Sequence, residues 1–329
     1  MNYKTTRLNG YPLKFHPIFK ERLWGGQKLK TVLKKEITGD TIGESWELSA
    51  VEDNVSIVSN GPWKGQSLQA LIEMYGEDLL GAHVYRTFGN SFPILIKFID
   101  AKKDLSIQLH PNDDLARERH DSFGKTEMWH VMQADEEAEL IIGFNKDVTQ
   151  EEYREHLDNN TLSNILNYEQ VTKGDTFFIN VGKVHAIGAG VLLAEIQQTS
   201  DITYRIYDWN RKDKDGNTRE LHTELALDAI DYKKKDDFRV SYPKAVNSPN
   251  EMVTCPYFIT NYLVVEGVLH LDHSDKDSFV IYMCVEGSCK ILANDVEEVL
   301  DTGETLLIPA TLKNIEIQGD HAQLLEVHL

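Results

Sequence analysis

Two stretches of the chain repeat one short pattern, and this internal repeat limits the possible folds more than any other sequence feature. Residues 174–179 read Gly-Asp-Thr-Phe-Phe-Ile, and residues 303–308 read Gly-Glu-Thr-Leu-Leu-Ile. Upstream of these copies, Met128–Ala134 resembles Ile281–Gly287. Such a repeat predicts two copies of one structural unit, although two strand-turn-strand segments can also resemble each other by chance.

Short runs rich in β-branched and aromatic residues, separated by Gly, Asn and Asp, surround both copies. Many short strands joined by turns favour a sandwich or a barrel. The predicted strands cover 44–50, 54–59, 92–99, 105–110, 128–133, 138–144, 175–180, 190–199, 258–266, 278–285, 289–293, 305–309 and 323–328. Helical patterns are few and cover Ser67–Tyr75, Thr149–Leu157, 161–168 and Thr223–Ala229.

The spacing between the two repeated motifs differs between the copies. The first motif recurs after 129 residues and the upstream one after 153 residues, a difference of 24. A helical segment at about 148–170 has nearly that length. We therefore predict a mainly β fold of two similar β-sandwich units, 1–240 and 241–329, with a short helical insertion in the first.

Length, charge and cysteine content narrow the class of protein. A chain of 329 residues exceeds the size at which single cores stop growing. The net charge of −19 argues against nucleic acid or an anionic membrane surface as the main partner, but a local basic pocket can still bind a small anion. Three cysteines without a CxxC motif fit a reducing, cytoplasmic compartment. We expect neither a signal peptide at residues 1–7 nor a membrane span.

Four residues of the first copy have the types and spacing of metal ligands. Gln108 and His110 alternate along a predicted strand and would project from the same face. Glu127 follows 17 residues later, and His185 follows a glycine-containing turn. Two histidines and a glutamate, with glutamine as an optional fourth ligand, suit Zn²⁺ in a catalytic site that keeps one position open.

The second copy lacks two of these residues. The repeat aligns His185 with Asn314 and Glu127 with Val280. If the first copy binds a metal, the second has therefore lost its site. Most of the 12 histidines are expected to be surface or packing residues, and His130 is predicted to be a strand residue near the site that does not bind the metal.

Seven segments together resemble the type I mannose-6-phosphate isomerase family of the cupin superfamily, in its compact bacterial form. They extend over roughly residues 15–211 in the family's order and are Glu21–Gly26, Gly43–Ser49, Phe92–Lys97, Leu105–Pro111, Gly124–Trp129, Gly182–Ala186 and Glu195–Arg211. The resemblance implies two cupin-like jelly-roll units, of which 1–240 is catalytic and 241–329 is metal-free. It also implies one zinc ion per chain and interconversion of mannose 6-phosphate and fructose 6-phosphate through an enediol.

The resemblance also assigns roles to individual residues. It implies that Gln108, His110, Glu127 and His185 are the zinc ligands, of which Gln108 is the least secure carry-over because the ligand set varies within the family. The implied active-site cations are Lys125 and Arg205, and the candidate substrate-binding residues are Lys97, Ser106 and Trp24. Each of three residues could instead have a purely structural role. Lys97 could be an exposed surface residue, Arg205 could form a structural ion pair, and Trp24 could only pack in the core.

Two other functions compete with the isomerase. His/His/Glu sets also hold Fe(II) in cupin oxygenases, although a Gln-x-His motif stands here in place of their usual His-x-His. A non-catalytic sugar-binding cupin is the other alternative. The presence of Lys125, Glu127, His185 and Arg205 together argues against a simple binder, which has no need for a redox-inert metal beside cations.

Overall fold

The computed structural model describes residues 10–213 and 215–329, and their fold is mainly β, as predicted. The strands are β1 (Leu13–His16), β2 (Ile18–Gly26), β3 (Ile42–Leu48), β4 (Ala50–Val51), β5 (Asn54–Val55), β6 (Ile57–Val58), β7 (Ile94–Ala101), β8 (Ile107–Leu109), β9 (Glu127–Ala134), β10 (Glu139–Phe144), β11 (Leu166–Gln170), β12 (Thr176–Ile179), β13 (His185–Ile187), β14 (Val191–Gln198), β15 (Tyr204–Tyr207), β16 (Asn250–Thr254), β17 (Ile259–Asp272), β18 (Val280–Glu286), β19 (Ser288–Ala293), β20 (Val296–Asp301), β21 (Thr305–Ile308) and β22 (Asn314–His328).

The helices are short and lie between strands. They are α1 (Lys28–Thr31), α2 (Leu68–Tyr75), α3 (Glu77–Leu80), α4 (Ala82–Phe88), α5 (Asp113–His120), α6 (Gln150–Asp158), α7 (Thr223–Leu227) and a 3₁₀ helix, Leu162–Ile165. Ser67 caps α2 and Thr149 caps α6, each accepting a hydrogen bond from the backbone N–H three residues later. In the described part of the chain, no helix has the length and apolar character needed to cross a membrane. The prediction about residues 1–7 lies outside the described residues.

Three large sheets form the molecule. The N-terminal unit contains a six-stranded sheet, ordered β12-β9-β14-β7-β2-β3, and a five-stranded sheet, ordered β11-β10-β13-β8-β15. The C-terminal sheet runs β16-β17-β22-β18-β21-β1-β6, and β19 and β20 extend from it through β22. All pairings between these named strands are antiparallel, which lets each strand bury one face and present the other to a cavity or to solvent.

The two copies of the sequence repeat form equivalent strand pairs. In the first copy β9 pairs with β12, and Glu127 lies opposite Ile179. In the second copy β18 pairs with β21, and Val280 lies opposite Ile308. The register is therefore the same in both pairs, position for position. This agreement supports a common unit over a chance similarity of sequence.

The insertion in the first copy lies between two paired strands. Residues 145–165, containing α6 and the 3₁₀ helix, connect β10 to β11. The second copy joins β19 to β20 through Asn294 and Asp295 alone, both with positive φ, as a two-residue hairpin requires. The helix predicted over 161–168 is wrong beyond Ile165, because Leu166–Gln170 pairs with β10 as a strand.

The N-terminal segment also contributes to the C-terminal sheet. Leu13 in β1 lies opposite Leu307 in β21, and β6 continues the sheet from β1. One buried apolar cluster joins Leu13 and Leu48 with Ile281 and Leu307. The strands of 1–240 and 241–329 therefore share a sheet and a core.

Strand β9 has one face towards this shared core and the other towards a cavity in the N-terminal unit. Successive side chains of a strand point to opposite faces, so Glu127 and Trp129 lie on one face and His130 on the other. The His130 ring is 5.8 Å from the ring of Tyr262 in the C-terminal unit, and its Nδ1 contacts Thr176 Oγ1 at 2.9 Å. His130 is thus a strand residue, as predicted, but it faces the second unit. Burial, followed by the charge of Lys244, lowers its pKa to about 4.

We expect His130 to make the protein less stable in acid. Its folded pKa of about 4 lies below the value of about 6.5 in the unfolded chain, so the unfolded state binds more protons between these pH values. Its contribution is present above pH 6.5 and is lost as the pH falls towards 4. Between pH 7 and 5, the free energy of unfolding should fall by roughly 2 kcal/mol more in the parent than in His130→Gln, measured by urea denaturation. Equal losses in both proteins would contradict this.

Candidate active site

A cavity of about 600 Å³ lies between the six-stranded and five-stranded sheets of the N-terminal unit. Seven of the nine candidate residues line it: Trp24, Lys97, Ser106, Gln108, Lys125, His185 and Arg205. The other two, His110 and Glu127, lie beside His185 in one buried cluster. The structure therefore brings together all nine residues singled out from the sequence.

The six-stranded sheet presents one row of side chains to the cavity. Trp129, Glu195, Lys97 and Trp46 stand in register across β9, β14, β7 and β3. Lys97 forms an ion pair with Glu195 at 3.0 Å and lies over the Trp46 ring, 5.1 Å from its centre. Trp129 Nε1 donates to Glu195 Oε2 at 2.9 Å. This row holds a buried positive charge at the cavity wall.

Lys97 remains charged in this environment. Burial lowers its pKa, but the carboxylates of Glu195, Glu44 and Glu127 outweigh burial and raise the pKa above its ordinary value. The lysine is 6% exposed, so it is not a surface residue. Its ammonium group is available at the cavity without being free to move away from Glu195.

The five-stranded sheet presents a second row. His185, Gln108 and Arg205 stand in register across β13, β8 and β15. Because neighbouring strands lie about 4.8 Å apart, the Cα atoms of His185 and Arg205 are separated by roughly 10 Å. As the alternation predicts, Ile107 and Leu109 point away from Gln108 and pack in a separate apolar cluster.

Local backbone geometry brings the two histidines together. Gly182, with φ +77°, forms the turn before β13, and its N–H donates to the carbonyl of His110 at 2.9 Å. A Cβ at Gly182 would lie 2.5 Å from the carbonyl oxygen of Ala229, so only glycine fits this turn. The turn therefore fixes the start of β13 next to His110, which directly follows β8.

His110, Glu127 and His185 have the geometry of a metal-binding cluster. One candidate ligand atom from each residue lies within 4.8 Å of the others, and all three side chains are buried. Glu127 Oε2 and His185 Nε2 are 3.8 Å apart, and neither atom has a hydrogen-bond partner among the described residues. Buried polar atoms without partners are rare, and a cation between them would satisfy both.

The outer nitrogens of both rings are already engaged. His110 Nδ1 lies 2.8 Å from the carbonyl oxygen of Ile202, and His185 Nδ1 lies 2.8 Å from that of Lys183. Because a carbonyl only accepts, each Nδ1 carries the proton and each Nε2 presents a lone pair to the cluster. Metal-binding histidines are commonly oriented by such a contact.

The charge states of the three residues also suit a divalent cation. Burial, followed by the charge of Lys125, lowers the pKa of His110 to about 4, and burial lowers that of His185. Burial raises the pKa of Glu127, but Lys125, His110 and His185 outweigh it and hold the pKa well below its usual range. Two neutral imidazoles and one carboxylate fit zinc through N and O atoms.

Two candidate residues stand at the edge of this cluster. Lys125 Nζ lies 3.1 Å from His110 Nε2 and also forms an ion pair with Glu127. Gln108 lines the cavity beside His185, and its Oε1 accepts a hydrogen bond from Ser106 Oγ at 3.2 Å. Both side chains can therefore reach a ligand held by the cluster.

A second group of charged residues was not singled out from the sequence. Glu44 accepts bonds from Arg22 at 2.9 and 3.0 Å and from Trp46 Nε1 at 2.7 Å, while Lys20 lies over the Trp46 ring. Glu44 and Trp46 lie within the matching segment Gly43–Ser49, and Glu195 lies within another. Their place in segments that resemble the family could have identified them as site residues. Their contacts with each other follow only from the register of the strands.

Arg205 occupies an electropositive corner of the cavity. Its Nε donates to Ser106 Oγ at 3.3 Å and its Nη1 to the carbonyl of Glu220 at 2.9 Å. Within the described ranges it has no ion pair with a carboxylate. Arg219 lines the same cavity but shares its partner Asp208 with Arg211. Burial, followed by the charge of Arg219, lowers the pKa of Arg205.

Removing a member of the His/Glu/His cluster should abolish metal binding. Glu127→Gln and His185→Ala should each weaken zinc affinity by more than the roughly 10–100-fold cost of altering a residue that only orients a ligand. The measurement is zinc content after dialysis, with affinity from chelator competition. His130→Gln is the matched control, because His130 lies on the other face of β9 and should leave affinity unchanged. Full zinc occupancy in a His110→Ala, His185→Ala double variant would contradict the assignment.

Two family models match the chain in sequence. The phosphomannose isomerase type I catalytic domain matches residues 13–156, and the mannose-6-phosphate isomerase cupin domain matches residues 249–329. The chain is 32% identical over 322 residues to the mannose-6-phosphate isomerase ManA of Bacillus subtilis, covering 97% of this chain and 99% of the relative. It is also 32% identical to a mannose-6-phosphate isomerase of Streptococcus mutans, covering 94% and 96%.

Solved structures agree in fold. The crystal structure of the mannose 6-phosphate isomerase from Bacillus subtilis matches with a TM-score of 0.88 and 31% identity, over 97% of this chain and 99% of that one. A phosphomannose isomerase variant from Salmonella typhimurium matches with a TM-score of 0.78 over 96% and 99%, but at 16% identity it supports the fold alone. The cupin-like β fold predicted from the sequence is confirmed.

Proposed function

Because the chain belongs to the type I mannose-6-phosphate isomerase family and is an isomerase of this kind, we propose that it interconverts mannose 6-phosphate and fructose 6-phosphate through an enediol, with one zinc ion bound per chain. The observation that carries the proposal is the buried His110–Glu127–His185 cluster beside a cavity lined by cations. The zinc ligands would be these three residues and Gln108.

The reaction moves hydrogen between C1 and C2 of an open-chain sugar. A bound zinc ion supplies a Lewis acid that polarises the sugar oxygens and stabilises developing negative charge. The protein's own contribution is to orient the sugar, exclude water and place cations where that charge develops. Arg205 and Lys125 are the proposed catalytic cations. Lys125 contacts the cluster directly, and Arg205 lies two strands from His185, with Gln108 between them in register.

The substrate's phosphate needs positive charge that is not already neutralised. Lys97 is paired with Glu195 and Arg22 with Glu44, so these cations are balanced. Arg205 has only hydroxyl and carbonyl partners in the described residues, and Arg219 shares one carboxylate with another arginine. Arg219 is therefore the proposed phosphate contact, since Arg forks bind a dianion well, and Arg205 is assigned to the charge that develops at the reacting carbons.

Three further residues complete the proposed substrate site. Ser106 lies between Gln108 and Arg205 and can donate to a substrate oxygen. Lys97 presents its ammonium group from the opposite sheet, and Trp24 forms part of the cavity wall. The proposal thus keeps Lys97, Ser106 and Trp24 as substrate-binding residues.

The remaining features of the proposal concern organisation and location. We assign catalysis to residues 1–240 and a metal-free structural role to 241–329, because the repeat has Val280 and Asn314 in place of Glu127 and His185. A cytoplasmic location is supported by three free cysteines, of which Cys284 and Cys289 are buried.

The decisive assay follows fructose 6-phosphate formation from mannose 6-phosphate with a coupled enzyme. Chelator treatment should abolish the activity, and added zinc should restore it. Metal analysis and oxygen consumption distinguish the isomerase from an iron-dependent oxygenase. A protein that holds zinc but forms no fructose 6-phosphate would overturn the proposed substrate.

Arg205→Ala should reduce turnover more than substrate binding. A cation that stabilises charge only in the transition state lowers kcat when removed, by about 100-fold or more. Zinc content should stay near that of the parent, since Arg205 is not a proposed ligand. Lys125→Ala should change both kcat and KM. If the Arg205→Ala enzyme folds, holds zinc and has a kcat within about threefold of the parent's, Arg205 is not a catalytic residue.

Arg219→Ala should instead raise KM for the sugar phosphate about tenfold, with a small change in kcat, because it would contact only the phosphate. Arg211→Ala is the matched control: both arginines bind Asp208, but only Arg219 lines the cavity. Steady-state kinetics of both variants test the difference. Equal KM values in the two variants would exclude a specific phosphate contact by Arg219.

A further inference from the structure

One carboxylate connects three segments of the chain near the His110–Glu127–His185 cluster. Asp113, the first residue of α5, accepts a bond from the Gly124 backbone N–H at 2.8 Å and from Gln198 Nε2 at 3.0 Å, both through Oδ1. Its other oxygen accepts from the Tyr257 hydroxyl at 2.8 Å. Burial raises the pKa of Asp113, but bonds from Tyr257, Gly124 and Gln198 outweigh burial and lower it, so the carboxylate stays ionised.

The bond between Asp113 and Gly124 joins the two segments that carry the candidate ligands, three residues from the ligand in each segment. Asp113 lies three residues after His110, and Gly124 lies three residues before Glu127. The Asp113–Gly124 bond therefore ties the two ligand segments together outside the cluster itself.

Gln198 adds a second link on the Glu127 side. Its Oε1 accepts from the Thr126 N–H at 2.9 Å, and its own N–H donates to the Thr126 carbonyl at 3.2 Å. Because its Nε2 also binds Asp113, Gln198 holds the residue next to Glu127 against the same carboxylate. The start of β9 is thus fixed from two sides.

The close approach at Gly124 depends on glycine. A Cβ at this position would lie 2.8 Å from the Asp113 backbone nitrogen and 2.9 Å from its Oδ1. A side chain here would push the two segments apart. The short contact between them is therefore built into the sequence at two positions.

Tyr257 brings the second unit into this arrangement. It lies in the turn between β16 and β17, where Cys255 N–H donates to the Phe258 carbonyl at 3.1 Å. Asp113 is 144 residues away in the sequence and belongs to the first unit. The tyrosine hydroxyl is a direct polar contact from the C-terminal unit to the segments that carry His110 and Glu127.

We propose that Tyr257 and Asp113 are positioning residues, through which the metal-free C-terminal unit fixes the spacing of the two ligand-bearing segments and so sets metal affinity. This inference rests on the metal site of the proposed function. The C-terminal unit would then influence metal binding although none of its residues lines the cavity.

The test compares two tyrosine variants of the full chain. Tyr257→Phe removes only the hydroxyl that binds Asp113. Tyr242→Phe is the matched control, because the Tyr242 hydroxyl also links the C-terminal half to the N-terminal unit, at the Gly174 carbonyl 2.8 Å away, but not to a ligand segment. The readouts are zinc affinity by chelator competition, thermal stability, and hydrogen exchange of residues 124–127 in metal-free protein.

Tyr257→Phe should weaken zinc affinity about threefold to tenfold, and Asp113→Ala about 10–100-fold, the range for residues that orient metal ligands. Tyr242→Phe should leave zinc affinity unchanged, although it should lose about as much thermal stability as Tyr257→Phe. Exchange at residues 124–127 should become faster in Tyr257→Phe and in Asp113→Ala but not in Tyr242→Phe.

Equal zinc affinity in Tyr257→Phe and Tyr242→Phe, with unchanged exchange at residues 124–127, would overturn the inference. If the parent protein binds no zinc, the proposed function fails, and the exchange experiment still decides whether Tyr257 positions the segment before Glu127. Should Asp113→Ala fail to fold, Tyr257→Phe carries the test alone.

Discussion

The structure of the N-terminal unit depends on compensating the charge of one buried carboxylate, that of Glu127. Glu127 is 1% exposed, and an uncompensated charge at such depth costs several kcal/mol. His110 and His185 turn their Nε2 atoms towards it, Lys125 pairs with it, and two sheets converge to make this possible. The charge of this one side chain thus explains why two histidines and a lysine stand around it between the sheets, beside an apolar cluster that includes Trp129 and Leu140.

The strands and the repeat could be predicted because they depend on local alternation. Period-two patterns identified the longer strands that line the cavity but missed β2, β13 and β15. The cluster was also predictable, since His110, Glu127 and His185 lie in distinctive segments. The pairing of Lys97 with Glu195 was not, because it depends on which strands become neighbours. The helix assigned to 161–168 failed for the same reason: pairing with β10 overrides a weak local preference.

The second unit shows which parts of this arrangement belong to the scaffold. Tyr282 and Glu326 face each other in β18 and β22, as Trp129 and Glu195 do in β9 and β14. The Tyr282 hydroxyl donates to Glu326 at 3.0 Å, and Lys276 supplies the balancing cation at 2.7 Å. An aromatic donor, a buried glutamate and a lysine therefore persist where the repeat has Val280 in place of a ligand. The pairing of an aromatic donor with a buried glutamate therefore does not depend on the His110–Glu127–His185 cluster.

The pairing of β1 with β21 has a consequence for biosynthesis. Leu13 leaves the ribosome long before its partner Leu307, which is added 294 residues later. A growing chain can assemble the strands around His110 and Glu127 while β1 still has an open edge, which is a surface prone to wrong pairing. The contact that seals the shared core thus forms only after nearly 300 further residues have been added, and the edge of β1 stays open to wrong pairing during that time.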